Sequence, residues 1–386
     1  MKKILFLLAI LCVQTSFAQL IIGNNRFEKY LPMLENKRVA VVCNHTSVVV
    51  NVNNDTEKKV SKHLVDTLLG KNINIKTLFT PEHGLKGTQE AGKLINGVSY
   101  YKDSIKIISL YGKNKKPTKQ QMNDIDIVVF DLQDVGCRFY TYISTLEYVM
   151  AACIENSKPI IVLDRPNPNN FVAGPVLKKD CKSFVGMQSI PICYGLTIGE
   201  YAKMINEEHL VDSLRLCDLT VIPMLNYNRD SIYTIDVFPS PNLQSMQAIR
   251  NYPTLCLFEG TPISVGRGTN QPFEIAGFPE YPIKIKKFVP KSIKGVAENP
   301  PYMNDTCFGV TYKINSQDIE LEEIIEMYNY FPQKDKFFNR MFDLLTGDKT
   351  IKEQIKQGKS ADDIRKTWEE DLRNYEKIRQ KYLIYK

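Results

Sequence analysis

The most chemically loaded stretch of the chain is Phe79-Thr80-Pro81-Glu82-His83-Gly84-Leu85-Lys86-Gly87. An acid, an imidazole and two glycines follow directly on the apolar run Ile73 to Phe79, which reads as a buried strand. A carboxyl group in a turn beyond such a strand is partly desolvated, and that raises its pKa toward general-acid use. The alternative is that Glu82 caps a helix or pairs with a base. A second polar cluster, Asp131, Gln133, Asp134 and Arg138, follows the run Ile125 to Phe130. There Arg138 either holds a substrate or neutralises its neighbours in a structural ion-pair network. Asn44-His45 follows Arg38 to Cys43, and Asp164-Arg165 follows Pro159 to Leu163. Asp164 is also placed to organise the turn before Pro166.

These polar groups need elements to position them. Most of these runs are uniformly apolar, as strands buried on both faces are. Helical stretches precede and separate them: Asn25 to Leu34, His63 to Leu69 with Gly70 as a stop, and Thr141 to Glu155. Ile105 to Leu110 and Leu219 to Leu225 read as further strands, and 197–206 as a helix capped by Thr197 with Glu200 at the third position. This alternation predicts an α/β fold with a Rossmann-like, mostly parallel sheet. Ligands of such sheets sit beyond the carboxyl ends of the strands, so the four polar loops share one rim. From Phe238 the texture changes: Pro239-Ser240-Pro241-Asn242 is a rigid turn, Met246 to Arg250 a short helix, Tyr252-Pro253 a break, and 260–277 is Gly-rich. Residues 308–314 read as a strand, 317–330 as an amphipathic helix and Ser360 to Tyr385 as one charged helix. The expected division is a Rossmann-like domain over 19–235 and a smaller α+β domain over 236–386.

Composition narrows the chemistry. The 386 residues are 43% hydrophobic, an ordinary globular content. The net charge of +7 includes Lys2 and Lys3, and the densest basic patch, Lys113 to Lys119, reads as a solvated loop, so nucleic-acid binding has no support. Met1-Lys2-Lys3, the apolar run Ile4 to Val13 and Ser16-Phe17-Ala18 form a signal-peptidase pattern, predicting export with cleavage after Ala18. That run is too short to span a bilayer, and no later segment is apolar enough. The eight remaining cysteines have no metal-like spacing, and none of the four histidines sits at metal spacing with another. Neither GxGxxG, a phosphate loop nor a GxSxG elbow is present. No metal or cofactor is expected. Acids, amides, arginines and tyrosines along one rim suit carbohydrate.

Eight ordered motifs then carry a resemblance. They are Pro81-Glu82-His83-Gly84, Ser109-Leu110-Tyr111-Gly112, Asp131-Leu132-Gln133-Asp134-Val135-Gly136, Arg138-Phe139-Tyr140-Thr141-Tyr142, Leu163-Asp164-Arg165-Pro166-Asn167-Pro168, Gly195-Leu196-Thr197-Ile198-Gly199-Glu200, Pro239-Ser240-Pro241-Asn242 and Gly266-Arg267-Gly268-Thr269. Together they resemble the DUF1343 or NamZ family, the exo-β-N-acetylmuramidases of glycoside hydrolase family 171, from about residue 37 to Tyr385. The resemblance implies a cleft between two domains and removal of N-acetylmuramic acid from the non-reducing end of peptidoglycan fragments, either muropeptides or MurNAc-GlcNAc saccharides. It implies Glu82 as the catalytic residue; the expected role is general acid, tuned by His83 or by the Asp131/Asp134 cluster. Glu274 and Glu259 are the candidates for a second group. Arg138 and Arg267 are expected on the lactyl carboxylate, with Asn44, Gln133, Tyr140 and Asp164 completing the sugar site. Two departures from the family pattern stand out: His45 replaces a usual Gln, and Phe238 stands where a Trp often precedes Pro239. The rival readings are a non-catalytic peptidoglycan-binding protein and an exo-hexosaminidase of other specificity.

Overall fold

The computed structural model describes residues 19–386 except 54–57, 88–98, 103 and 232. The expected leader, residues 1–18, lies outside the described residues.

Six parallel strands form the central sheet: β1 (Val39–Cys43), β2 (Ile75–Thr80), β4 (Ile105–Ser109), β5 (Ile127–Asp131), β6 (Ile160–Leu163) and β7 (Leu219–Ile222). A short antiparallel strand, β3 (Ser99–Tyr101), closes one edge, and the spatial order is β7-β6-β5-β1-β2-β4-β3. Every residue of β1 and β5 is buried. Val39, Val41 and Cys43 enter one apolar cluster while Ala40 and Val42 enter another on the opposite face. That two-sided burial is why these strands read as unbroken apolar runs. Each fully buried Val, Leu, Ile or Phe contributes about 1.5–3 kcal/mol.

Helices α1 (Phe27–Leu34), α2 (Leu64–Gly70), α3 (Lys119–Met122), α4 (Tyr142–Glu155) and α5 (Ile198–Glu207) accompany the sheet. Thr197 and Glu200 form the expected capping box on α5. From residue 236 the chain builds α6 (Met246–Leu255), a three-stranded antiparallel sheet of β8 (Ile275–Phe278), β9 (Lys286–Phe288) and β10 (Cys307–Thr311), and helices α7 (Leu321–Tyr330) to α11 (Glu369–Arg379). Its core, including Tyr252, Phe273 and Trp368, is continuous with the sheet face that carries Ala40 and Phe130.

Two local expectations are corrected. Tyr252-Pro253 does not break the chain, because α6 runs through Pro253 to Leu255. Pro253 cannot donate to the Ile249 carbonyl one turn back, and the Asn169 side-chain amide supplies that bond instead at 2.9 Å. The charged C-terminal stretch is two helices, α10 (Ala361–Lys366) and α11, which part where Trp368 turns into the core. Among the described residues no helix is long and apolar enough to cross a membrane.

Candidate active site

The carboxyl ends of β6, β5, β1 and β2 are adjacent and parallel, so the four polar loops do share one rim. Beyond Thr80 the chain makes two tight turns, Gly84 N–H donating to Pro81 O (3.1 Å) and Gly87 N–H to Gly84 O (3.4 Å). His83, Gly84 and Gly87 are all left-handed. A left-handed histidine is uncommon and clusters at functional turns. At Gly87 an added Cβ would lie 2.0 Å from the His45 ring, so only glycine fits there. The turn directs Glu82, half-buried, and His83, buried, into a cleft of about 330 Å³. Thr141 Oγ1, at the start of α4, donates to Glu82 Oε2 at 2.9 Å.

The C-terminal part also lines this cleft. Glu259 and Arg267 line the cleft and pair with each other, Arg267 Nε donating to Glu259 Oε1 at 2.5 Å. The guanidinium lies 5.0 Å above the Phe273 ring. Burial works against the Arg267 charge, and the Glu259 carboxylate more than offsets it, raising the pKa. Tyr140 also lines the cleft; its hydroxyl donates to Pro239 O at 3.0 Å, as that of Tyr142 does at 3.1 Å.

Other expected residues stand behind this surface. Asn44 is fully buried, donating from Nδ2 to the Tyr142 hydroxyl (2.7 Å) and accepting at Oδ1 from Thr46 N–H (2.9 Å) and Oγ1 (2.6 Å). Asp131 makes a fork-to-fork pair with Arg165 at 2.6 and 2.9 Å, and Asn24 Nδ2 donates to it at 3.1 Å. Asp134 accepts from the Tyr194 hydroxyl and from Gly136 N–H, while burial raises its pKa to about 6. Gln133 donates to Pro166 O (2.8 Å) and Asp134 O (2.9 Å). Asp164 accepts from the Gly199 and Arg165 N–H groups, Thr197 Oγ1 and the Tyr385 hydroxyl, and burial lifts it to about 6. These groups organise the rim; none of Asn44, Asp131, Gln133, Asp134 and Asp164 lines the cleft.

Two expectations are overturned on geometry. Arg138 does not present its guanidinium to the cleft. It is fully buried and donates to four carbonyls, those of Pro175 (2.9 Å), Ile190, Leu345 and Thr346 (2.8 Å each). Glu274 accepts from Ser245 Oγ over the start of α6 and is likewise outside the cleft lining, so of the two candidates Glu259 is the one that lines the cleft with Glu82. The two departures from the family pattern touch each other: His45 Nε2 meets Phe238 O at 2.8 Å, behind the cleft wall. Burial lowers the His45 pKa, and because a carbonyl can only accept, Nε2 is the donor in this contact. Reading the sequence singled out neither Phe184 nor Phe273 as cleft residues. Phe184 lies in no quoted motif and carries no signal, whereas Phe273 was visible only as a neighbour of Glu274.

Family models for the N-terminal and C-terminal parts of the exo-β-N-acetylmuramidase NamZ match residues 39–247 and 250–385. The chain belongs to the NamZ family. It is 35% identical over 380 residues to the peptidoglycan β-N-acetylmuramidase NamZ of Bacillus subtilis, covering 92% of this chain and 89% of that protein. Two DUF1343 family proteins of Bacteroides fragilis have similar crystal structures. One is 41% identical with a TM-score of 0.84, covering 96% of this chain and 99% of its own. The other is 28% identical with a TM-score of 0.77, covering 95% and 99%.

Proposed function

We propose that this NamZ-family glycoside hydrolase releases N-acetylmuramic acid from the non-reducing end of peptidoglycan fragments, with Glu82 as the general acid. The observation that carries the reading is the placement of Glu82 in a cleft that the Arg267–Glu259 pair also lines. Glu82 gives its proton to the glycosidic oxygen as the C1–O bond breaks, and the chain departs as an alcohol. Attack on C1 comes from water or from the substrate's own acetamido oxygen, with water completing the hydrolysis; the latter route needs no second enzyme carboxylate. Arg267 is assigned to the lactyl carboxylate, because a planar guanidinium matches a carboxylate bidentately. In this reading the part spanning 19–235 supplies the acid and the part spanning 236–386 supplies recognition. The pattern in residues 1–18 supports export to the periplasm or medium, where such a substrate is found.

The test is Glu82→Gln assayed on an aryl N-acetylmuraminide. Loss of general-acid help lowers turnover about 10²–10⁴-fold on substrates with a poor leaving group. Near-normal turnover of both the aryl glycoside and a MurNAc-GlcNAc disaccharide sinks the assignment. Parallel incubation with an aryl N-acetylglucosaminide distinguishes an exo-hexosaminidase, and binding without release of free sugar distinguishes a non-catalytic receptor.

A further inference from the structure

The cleft lining falls into two groups of contacts. Tyr140, Tyr252 and Phe273 are buried and pack ring to ring, with Arg267 over Phe273. Tyr111 and Phe184 make a second ring pair and are only half-buried. Tyr111 follows β4, where Ser109 pairs with Thr80 and Leu110 N–H donates to Thr80 O at 2.8 Å. Neighbouring strands lie about 4.8 Å apart, so Tyr111 stands beside the Glu82 turn, toward the sheet edge. The Phe184 ring lies 6.1 Å from both Tyr111 and Tyr148. Its backbone is fixed by Ser144 Oγ, which donates to Phe184 O at 2.7 Å. Lys115 Nζ sits 4.4 Å from the Phe184 ring centre. The next lysine, Lys116, is held by Glu155 at 2.6 Å, whereas Lys115 has no carboxylate partner among the described residues.

An enzyme that removes a terminal sugar needs one closed end for that sugar and one open end for the departing chain. We propose that Tyr111, Phe184 and Lys115 form the leaving-group subsite. The aromatic edge takes the C–H face of the second sugar, and the Lys115 ammonium takes a carboxylate farther along the chain. This rests on the hydrolase reading above. That carboxylate has two possible sources: the lactyl group of the next muramic residue, or the peptide attached to it.

The experiment measures kcat/KM for sugar release from methyl β-N-acetylmuraminide, the MurNAc-GlcNAc disaccharide, and the MurNAc-GlcNAc-MurNAc-GlcNAc tetrasaccharide with and without peptide on its internal muramic residue. Phe184→Ala lowers the disaccharide-to-methyl ratio about 5–10-fold, the scale of one lost aromatic contact. Phe184→Leu keeps most of the packed volume and lowers the same ratio. Lys115→Met lowers the tetrasaccharide-to-disaccharide ratio about 2–5-fold at low salt, and the effect shrinks in 0.5 M salt, as for an exposed ion pair. A Lys115 effect on the peptide-free tetrasaccharide assigns the lactyl carboxylate; an effect confined to the peptide-bearing one assigns the peptide. Unchanged ratios in both Phe184 variants and in Lys115→Met overturn the subsite. If the wild type releases sugar from none of these substrates, the hydrolase reading itself has failed.

Discussion

Replacing Arg138 with Met separates a structural cation from a substrate-binding one. The guanidinium joins the segment around Pro175 and Ile190 to the last carbonyls of α8 (Arg340–Thr346), which have no intrahelical donors. Burial pulls its pKa down to about 9, still above neutral, so the charge stays on. Of the four carbonyls, that of Ile190 also accepts from Leu177 N–H at 3.1 Å. The other three lose their bond in Arg138→Met. An orphaned buried carbonyl costs about 1–3 kcal/mol, giving about 3–9 kcal/mol for three. Water entering the vacated space and removal of a desolvated cation both reduce that figure, so about 3–5 kcal/mol is expected. At about 2 °C per kcal/mol for a long chain, Tm falls about 6–10 °C by calorimetry. KM for the aryl muraminide, measured well below that transition, stays within about threefold. A Tm within 2 °C of wild type together with a tenfold higher KM would refute the reasoning and return Arg138 to the substrate.

Glu147 of α4 accepts from Gln188 Nε2, and burial raises its pKa to about 7. The folded protein therefore holds this proton more tightly than the unfolded chain, so its contribution to stability is present below about pH 4.5 and lost as pH rises to about 7. Glu147→Gln mimics the protonated form: in urea titrations it gains up to about 3 kcal/mol over wild type at pH 8 and almost nothing at pH 4, and parallel pH curves would count against this. Gly87→Ala forces a Cβ into the His45 ring at a left-handed position; kcat/KM falls at least about tenfold as the Glu82 turn shifts, and wild-type kinetics would show the turn to be irrelevant.

The centre of the sheet was legible because β1 and β5 are buried on both faces, which leaves unbroken apolar runs such as Val39–Cys43 and Ile127–Phe130. That their polar loops share one rim followed from the alternation with helices, and with it the placement of Glu82 on that rim. The roles of individual polar residues were not legible, because side-chain direction beyond a strand end depends on contacts remote in sequence. Asp131 and Arg138 lie seven positions apart in one dense cluster, yet Asp131 pairs with Arg165 and Arg138 reaches Leu345 and Thr346. Glu259 and Glu274 looked equivalent on the far side of the cleft. The capping hydroxyl of Ser245 takes one, and Arg267 holds the other at the cleft. Pro253 read as a break because the donor that repairs α6 is a side chain 84 positions earlier, Asn169.

The rim's acids thus divide by what holds them. Asp131 and Asp164 are saturated by buried donors, fixing the turns that follow β5 and β6. A carboxylate so engaged would have to break these hydrogen bonds to reach a substrate. Glu82 differs in being only half-buried in the cleft, with Thr141 Oγ1 as a neutral neighbour on one oxygen. The saturated acids give the rim its rigidity, and that rigidity holds Glu82 at a set position in the cleft. The polar residues behind the rim are therefore mostly scaffold, and in the proposed reading the chemistry falls to Glu82, the half-buried carboxylate that lines the cleft.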